Sequence, residues 1–379
     1  MEESPNAKLV GKAGSRLELS TPALVVDRPT FVANLRSGQE IISNNGIGLR
    51  PHVKTHKSVQ IAKLQMKLGA RGVCCAKIGE AEALADGGLT NITLTSPVVE
   101  PAKIERLAQL NKRLDELMVV VDSLDNIKAL QKIAPSVAKK FRLLVDVDIG
   151  LNRSGVTSID KGLELARYIA EAPELRFFGL QGYSGGVQHI AKTSERRQVS
   201  HAQLKMLKEM KKAIREQKMP TRVITGSGTG SHLVDMEAAV FNDIQLGSYC
   251  FMDTQYMGVH IKLWGKVPYH PALFVYTRVV SSNHAGFVTL DAGTKSLAAD
   301  GPAPTVVAGA PEGSSYEFFG DEFGRLTLPA GAAPLAPGSL VVLMAPHCDP
   351  TVNLYDHYHV VKDDELVEIW PIEARGRAS

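Results

Sequence analysis

Eight short strand-like segments alternate with helix-like segments between residues 45 and 250, and this alternation restricts the folds open to the chain. The strand candidates are GLRPHVK, RGVCCA, NITLTS, LMVVVDS, RLLVDVD, RFFGLQGY, RVITGSG and DIQLGSY. Between them, segments such as SLDNIKALQKIAPSVAKK and SERRQVSHAQLKMLKEMKKAIREQ carry apolar residues at helical spacing behind Ser or Asp caps. Eight such units predict an α/β fold, a (β/α)₈ barrel. A doubly wound open sheet is the alternative.

After about residue 262 the helical spacing ends and strand-like runs predominate. Turns rich in Gly, Pro, Asn and Asp separate these runs, which are ALFVYTRVVSS, GFVTLDAGT, YEFFGDEFGRLTL, GSLVVLMAPH and HYHVVKDDELVEIW. This second pattern predicts a mostly β domain. We place the barrel at residues 25–260 and the β domain at residues 1–24 plus 261–379, since SRLELSTPALVVD is expected to pair with the later strands.

The composition argues against several classes of function. A net charge of +3 without a long basic run gives no indication of a nucleic-acid partner. The first residues, MEESPNAKLVGKAG, lack the apolar core of a signal peptide, and no apolar run approaches membrane-spanning length. The four cysteines fit neither a disulfide framework nor a zinc finger. We therefore expect a cytoplasmic enzyme that acts on a small molecule, without a membrane partner.

The first predicted strand ends on a charged residue, Lys54, in the segment RPHVK. A side chain at the carboxyl end of a barrel strand lies on the face where barrel enzymes keep their active sites. Burial among like charges is expected to lower the pKa of this lysine. The neighbouring basic residues are Arg50, His52, His56 and Lys57. Because a neutral amine can attack a carbonyl, Lys54 is a candidate Schiff-base lysine, and a solvated strand end is the alternative.

Glycine-rich loops follow the seventh and eighth predicted strands, ITGSGTGSH at residues 224–232 and LGSYCFMD at residues 246–253. Barrel enzymes frequently bind phosphate with these two loops. Glycines allow backbone N–H groups to approach an anion, and hydroxyl side chains add donors. The first loop offers Gly226, Ser227, Gly228, Thr229, Gly230 and Ser231. A phosphate site facing an imine-forming lysine indicates pyridoxal 5′-phosphate as the cofactor.

The segment APHCDPTVNLYD, far along the chain, offers a second candidate site. In a strand, His347 and Asp349 would project to the same side while Cys348 points away. An imidazole and a carboxylate without a thiolate favour Mn²⁺, Mg²⁺ or another oxygen-tolerant divalent cation. Two protein ligands leave positions for water and substrate, as in catalytic metal sites. The alternatives are a loop histidine without a metal, and the pair His357 and His359 at the same spacing.

Several stretches together resemble the alanine-racemase-like, fold-type III pyridoxal-phosphate enzymes: TPALVVDRPTFVANL, RPHVKTHKS, GEAEAL and VDVDIGLNRSGV. Within that family, RPHVKTHK and PHCDPTVNLYD resemble the D-threonine aldolase and D-serine dehydratase branch. The resemblance covers nearly the whole chain. It implies that Lys54 holds the cofactor, that the barrel carries it, and that the β domain closes the site in a homodimer.

The resemblance also implies individual cofactor contacts. Arg153 matches the arginine expected near the phenolic oxygen of the cofactor. Racemases of this fold place an arginine beside the pyridine nitrogen, where this chain has Gln245. Tyr183 is a second candidate, which would either face this nitrogen or flank the ring. The difference matters because a protonated pyridine is the stronger electron sink. The residues that match the phosphate loops are Gly228, Thr229, Gly247 and Ser248.

The resemblance implies an aldolase that cleaves D-β-hydroxy-α-amino acids, D-threonine foremost, to glycine and an aldehyde. A divalent metal at His347 and Asp349 would bind the β-hydroxyl and lower its pKa. His189, in SGGVQHI, is the candidate base for the hydroxyl proton, and Lys54 or a water would protonate the resulting carbanion. The dehydratase branch carries a cysteine where Asp349 stands, so the aspartate favours the aldolase.

Three other functions remain open. A D-serine or D-3-hydroxyaspartate dehydratase would give a 2-oxo acid and ammonia from the same class of substrate. A non-catalytic pyridoxal-phosphate carrier would need the lysine and phosphate loops but no metal pair. An alanine-type racemase fits less well, because Gln245 occupies the usual arginine position.

Overall fold

The computed structural model describes residues 3–379. The chain enters the fold through strand β1 (Ala23–Asp27) and helix α1 (Arg28–Asn44). Asp27 ends the strand and caps the helix, because its Oδ1 accepts a hydrogen bond from Thr30 N at 3.1 Å.

Eight parallel strands then form one sheet. They are β2 (Gly48–Leu49), β3 (Val73–Cys75), β4 (Asn91–Leu94), β5 (Glu116–Val121), β6 (Phe141–Asp146), β7 (Leu175–Gly182), β8 (Val223–Gly226) and β9 (Asp243–Ile244). Their order in the sheet is β2, β9, β8, β7, β6, β5, β4, β3. Cys74 N donates to Pro51 O at 2.7 Å, which joins the first strand to β3 and closes the barrel. The (β/α)₈ prediction is confirmed, and closure excludes the open sheet.

Helices follow each barrel strand and surround the barrel. They are α2 (Val59–Lys67), α3 (Ile78–Asp86), α4 (Pro101–Arg113), α5 (Leu124–Ile133), α6 (Ile159–Glu171), α7 (Thr193–Glu216), α8 (His232–Glu237) and α9 (Thr254–Met257). The cap expected at SLDN is formed, since Ser123 Oγ accepts from Asn126 N at 3.4 Å. The cap expected at SERR is not, because α7 begins at Thr193 and Lys192 precedes it without a side-chain hydrogen bond.

The second domain is a nine-stranded, mostly antiparallel sheet, as predicted. After β1 its strands are β10 (Leu273–Ser281), β11 (Phe287–Leu290), β12 (Thr305–Ala308), β13 (Ser315–Phe318), β14 (Gly324–Thr327), β15 (Leu340–Met344), β16 (His357–Lys362) and β17 (Glu365–Pro371). The sequence patterns did not indicate β12 or the short helix α10 (Cys348–Val352).

The first strand belongs to this second sheet. β1 pairs antiparallel with β10 and parallel with β16, which confirms that the start of the chain packs with the later strands. The predicted boundary at residue 25 falls inside β1, and the first two residues of the predicted 1–24 segment lie outside the described residues. Within residues 3–379, no helix is both long enough and apolar enough to cross a membrane.

One apolar core runs through both domains. Phe31 of α1 lies between the two, with its ring centroid 5.7 Å from that of Phe251 and 5.9 Å from that of Trp370. Phe31 is fully buried, so its side chain contributes to the stability of the barrel and of the sheet together.

We expect Gly179→Ala to prevent stable folding. Gly179 lies in β7 at φ +156°, and an added Cβ would lie 1.7 Å from Val223 O of the neighbouring strand. The barrel strands would have to separate, and the loss should exceed the roughly 1 kcal/mol of an ordinary Gly-to-Ala change. Thermal unfolding and soluble yield measure it, with Gly186→Ala as the control because a Cβ added there would meet no atom within 4 Å. An unchanged melting temperature would contradict this account.

Candidate active site

Lys54 lies in a single 3₁₀ turn, Val53–Thr55, after β2 at the carboxyl end of the barrel. A cavity of about 690 Å³, counting its open mouth, occupies this end. His52, Thr55 and Tyr256 are among the residues that form its wall. All the residues predicted to bind the cofactor line this cavity: Lys54, Arg153, Tyr183, Gly228, Thr229, Gln245, Gly247 and Ser248.

The electrostatic environment of Lys54 differs from the prediction. Its Nζ lies 2.8 Å from Asp349 Oδ2, which comes from the second domain. The Asp349 carboxylate raises the pKa of Lys54 above its ordinary value, and this effect exceeds the opposite effect of burial. The expectation of a lowered pKa was therefore wrong for this geometry, in which the ammonium form is stable.

The basic neighbours do not depress the pKa of Lys54 as expected, because their charges are compensated. Two of them pair with carboxylates: Arg50 with Asp243 at 3.2 Å, and Lys57 with Glu80 at 2.5 Å. A charge paired at such short range exerts little net field on a third group.

The two histidines near Lys54 are neutral. Burial lowers the pKa of His52 to about 3 and that of His56 to about 3. His52 Nε2 lies 3.1 Å from Thr95 Oγ1, and His56 Nε2 lies 3.2 Å from Gln65 Oε1. Neither imidazole therefore adds positive charge near Lys54 at neutral pH.

The loops after β8 and β9 border the same cavity. Within residues 3–379, the loop N–H groups that donate to no protein acceptor include those of Gly228, Thr229, Gly247 and Ser248. Free N–H groups that converge on a cavity form a site suited to an anion.

Other donors predicted for the phosphate already have protein partners. Gly230 N and Ser231 N donate to Gln188 Oε1 at 3.0 and 3.1 Å. Ser231 Oγ donates to Asp235 Oδ2 at 2.5 Å. The candidate phosphate site is therefore smaller than the sequence indicated, since Gly228 and Thr229, in the middle of the ITGSGTGSH loop, have free N–H groups while Gly230 and Ser231 do not.

The cavity wall fits pyridoxal phosphate. The hydroxyls of Ser227 and Thr55 are buried without a hydrogen-bond partner among the described residues. A Cβ on Gly247 would lie 2.6 Å from Thr55 Oγ1, so glycine keeps the phosphate loop close to the turn that carries Lys54. Unpaired buried hydroxyls and free N–H groups beside a lysine suit an anionic aldehyde.

Arg153, Tyr183 and Gln245 form another part of the wall. The Arg153 guanidinium carbon lies 5.8 Å from the centroid of the Tyr183 ring, within the range of a cation–π contact. Gln245 Nε2 donates to Gln181 Oε1 at 3.2 Å and to Thr225 Oγ1 at 3.1 Å. The amide oxygen of Gln245 is then its remaining polar atom, and an acceptor there suits a protonated ring nitrogen.

His347 and Asp349 are close together, but not for the predicted reason. They do not lie in a strand, because β15 ends at Met344 and the short helix α10 begins at Cys348. His347 precedes this helix and Asp349 lies in its first turn. Cys348 is fully buried, with its Sγ 3.5 Å from Met252 O, so the thiol does face away from the candidate metal site.

A buried carboxylate that the sequence analysis did not single out holds this segment on the barrel. Asp253 Oδ2 accepts a hydrogen bond from Cys348 N at 2.8 Å, and its Oδ1 accepts from Tyr256 N at 2.8 Å. Thr254 N also donates to Ala345 O at 3.0 Å. Asp253 three residues before Tyr256 is a helix-cap signal in the sequence, but its second partner is distant in the chain.

His189 lies beside this segment. Its ring centroid is 5.1 Å from that of Tyr256, which lines the cavity. Burial lowers the pKa of His189, and the nearby His347 and Lys54 lower it further. A solvent-accessible imidazole that is neutral near pH 7 is suited to act as a general base.

The donors of His347 and Asp349 fit a divalent cation. His347 Nδ1 lies 2.9 Å from Asp300 Oδ2, which leaves the Nε2 as the ligand atom. Burial favours the protonated acid, but the Lys54 ammonium lowers the pKa of Asp349 well below its usual value. Asp349 Oδ1 is buried without a partner in residues 3–379. No three His, Cys, Asp or Glu side chains in this range cluster as a complete metal site, so water or substrate would supply the other ligands.

The competing pair, His357 and His359, lies in strand β16. Both nitrogens of the His359 ring have protein partners, with Nε2 3.0 Å from Asn6 Nδ2 and Nδ1 3.1 Å from Leu24 O. This ring is therefore part of the second sheet's packing.

Comparison with known proteins decides the family. A family model described as alanine racemase, N-terminal domain, matches residues 26–255, and a model for a serine dehydratase domain matches residues 272–361. The chain belongs to the alanine-racemase-like family. Pyridoxal phosphate is the cofactor of this family, which supports this part of the cofactor prediction, and the predicted fold is confirmed.

Several relatives that match over nearly the whole chain are aldolases. A D-threonine aldolase from an Arthrobacter species is 37% identical over 94% of this chain and 93% of that protein. A 3-hydroxy-D-aspartate aldolase from Paracoccus denitrificans is 34% identical over 95% of this chain and 93% of that protein. The crystal structure of D-threonine aldolase from Filomicrobium marinum matches at 35% identity with a TM-score of 0.91, over 96% of this chain and 97% of that one. The chain is therefore a lyase of the D-threonine aldolase and D-serine dehydratase branch.

We expect Lys54→Ala to abolish covalent attachment of the cofactor. Borohydride reduction of the loaded enzyme should fix pyridoxal phosphate on Lys54, because this amine lies in the cavity beside the phosphate loops. Peptide mapping by mass spectrometry should find the label on Lys54 in the wild-type enzyme and no label in the variant. A label on Lys57 would refute the assignment, and the folded state of the variant is checked by thermal unfolding.

Proposed function

We propose that this chain cleaves D-β-hydroxy-α-amino acids, D-threonine foremost, to glycine and an aldehyde. It uses pyridoxal phosphate and a divalent metal, Mn²⁺ first and Mg²⁺ or another cation as alternatives. From the family likeness we also expect a homodimer in the cytoplasm. Light scattering would measure the oligomeric state through the molar mass.

One observation carries the proposal: Asp349 of the second domain lies 2.8 Å from the Nζ of Lys54. This contact brings the candidate metal pair to the lysine that is expected to hold the cofactor. His189 lies on the same side, since its ring centroid is 5.1 Å from that of Tyr256, which lines the same cavity as Lys54. A base and a metal pair beside the cofactor suit a substrate that carries a hydroxyl next to its α-carbon.

The residues of the cavity have distinct roles in this proposal. Lys54 would attach the cofactor, and the N–H groups of the loops after β8 and β9 would hold its phosphate. Arg153 would contact the phenolic oxygen, Tyr183 would flank the ring and Gln245 would accept a hydrogen bond from the ring nitrogen. Bound there, the cofactor withdraws the electrons that the α-carbon gains when a bond to it breaks.

The chain's own side chains handle the protons. A divalent cation on His347 Nε2 and Asp349 would lower the pKa of the substrate hydroxyl. His189 accepts the proton of this hydroxyl at its unprotonated ring nitrogen, which assists cleavage of the Cα–Cβ bond. Lys54 Nζ or a water would then return a proton to the α-carbon to give glycine.

A dehydratase is the second candidate. The match of residues 272–361 to a serine dehydratase domain favours it. In that reaction the β-hydroxyl would leave and the products would be a 2-oxo acid and ammonia. Asp349, in place of the cysteine of the dehydratase branch, is the feature that favours the aldolase.

Metal removal should stop the reaction. We expect purified enzyme with D-threonine and Mn²⁺ to form glycine and acetaldehyde, and a chelator to abolish both, because His347 and Asp349 would lose the cation that activates the hydroxyl. The assay follows glycine, acetaldehyde, 2-oxobutyrate and ammonia separately. Metal-dependent 2-oxobutyrate would establish the dehydratase instead. His347→Ala should lose Mn²⁺ affinity, whereas His357→Ala, in the competing pair, should retain it.

His189→Asn should lower kcat by about 10²- to 10⁴-fold, the range for loss of a general base. The Mn²⁺ dissociation constant and the cofactor content should stay near wild type, because His189 is not expected to bind either. A kcat within about threefold of wild type would mean that another group takes the proton.

A further inference from the structure

Gln188 lies next to the candidate base, in the 3₁₀ turn Gly186–His189, and only 1% of its surface is exposed. We propose that Gln188 is a positioning residue: its side chain shapes the phosphate loop and ties it to the turn that carries His189. It does not line the cofactor cavity, so it acts through the groups that do.

The carboxamide of Gln188 is fully engaged. Its Oε1 accepts from Gly230 N at 3.0 Å and from Ser231 N at 3.1 Å. Its Nε2 donates to Ser231 Oγ at 2.7 Å and to Ser184 O at 3.1 Å. The amide oxygen accepts two hydrogen bonds and the amide nitrogen donates two. This set of four hydrogen bonds requires an amide, because a carboxylate cannot donate and a hydrocarbon can do neither.

The glycines of the loop are explained by their proximity to Gln188. A Cβ on Gly230 would lie 1.9 Å from Gln188 O, and one on Gly228 would lie 2.6 Å from Gln188 Oε1. The loop therefore packs directly on this residue. Its curvature follows from that contact, so the N–H groups of Gly228 and Thr229 are held toward the cavity by Gln188.

The far side of the loop is fixed by a second buried acceptor. Ser231 Oγ donates to Asp235 Oδ2, and Asp235 Oδ1 accepts from Ser200 Oγ of α7. Gln188 and Asp235 thus hold Ser231 from two directions, and within residues 3–379 the hydrogen bonds between the loop and the His189 turn all come from Gln188. Displacement of this amide should loosen the phosphate site and shift His189 together.

The inference rests on the proposed placement of the cofactor phosphate at Gly228 and Thr229, and the experiment separates the two. The apo forms of wild type, Gln188→Ala and Gln188→Glu are titrated with pyridoxal phosphate and with pyridoxal. These two ligands share the ring and the aldehyde and differ only in the phosphate, so the ratio of their dissociation constants reports the phosphate site alone.

We expect wild type to prefer pyridoxal phosphate strongly. Gln188→Ala should reduce this preference about 10- to 100-fold, the equivalent of one or two charge-assisted hydrogen bonds, while the affinity for pyridoxal changes little. Gln188→Glu should reduce it at least as much, because the carboxylate cannot donate to Ser184 O and repels the phosphate. The matched control is Gln203→Ala, since Gln203 lines the same small buried cavity but its Oε1 has no hydrogen-bond partner within residues 3–379.

Each outcome is decisive. A wild-type enzyme without preference for the phosphate would overturn the placement of the phosphate, independently of Gln188. A preserved preference in both Gln188 variants would overturn the positioning role. Equal weakening of both ligands, with a lowered melting temperature, would mean that Gln188 only stabilises the fold, and would also overturn it.

Discussion

The geometry of the candidate active site depends on one buried carboxylate that joins the two domains. Asp253 caps α9 of the barrel through Tyr256 N and holds the start of α10 through Cys348 N, both at 2.8 Å. A buried carboxylate is costly unless its oxygens are satisfied, and here two backbone N–H groups from different domains satisfy them. His347 and Asp349 flank the second of these groups, so the candidate metal pair is fixed relative to the barrel mouth.

The contact between the two domains also places a carboxylate beside Lys54. Because the α10 segment is held at the cavity, Asp349 meets Lys54 and keeps it protonated, while Asp243 and Glu80 neutralise the adjacent cations. The lysine and the candidate metal ligand therefore compensate each other across the domain interface. In the proposed function, attachment of the cofactor to Lys54 would free the Asp349 carboxylate for the cation, and binding of the cation to Asp349 would free the Lys54 amine for the cofactor. Cofactor attachment and cation binding would therefore favour each other.

The fold was largely predictable because its signals are local. Each barrel strand is a short buried run followed by a helix whose apolar spacing repeats within a few residues, and the eight strands lie where these runs stand. Strand β12, TVVA, was missed because three of its four residues are exposed and it therefore has no apolar alternation. The sequence does not indicate the short helix α10, whose first residues the strand argument includes, because five residues are too few for helical periodicity to show.

The sequence by itself was enough to predict the barrel, the β domain, the candidate lysine, the candidate phosphate loops and the His-x-Asp pair. Each of these features has a signal that lies within a short stretch of consecutive residues. Tertiary structure alone decided which charges meet and which donors remain free. The pKa of Lys54 depends on Asp349, 295 positions away, and the loop N–H groups left for a phosphate depend on the Gln188 side chain. Electrostatic and hydrogen-bond energies depend on distances in space, and residue order constrains those distances only after the chain has folded.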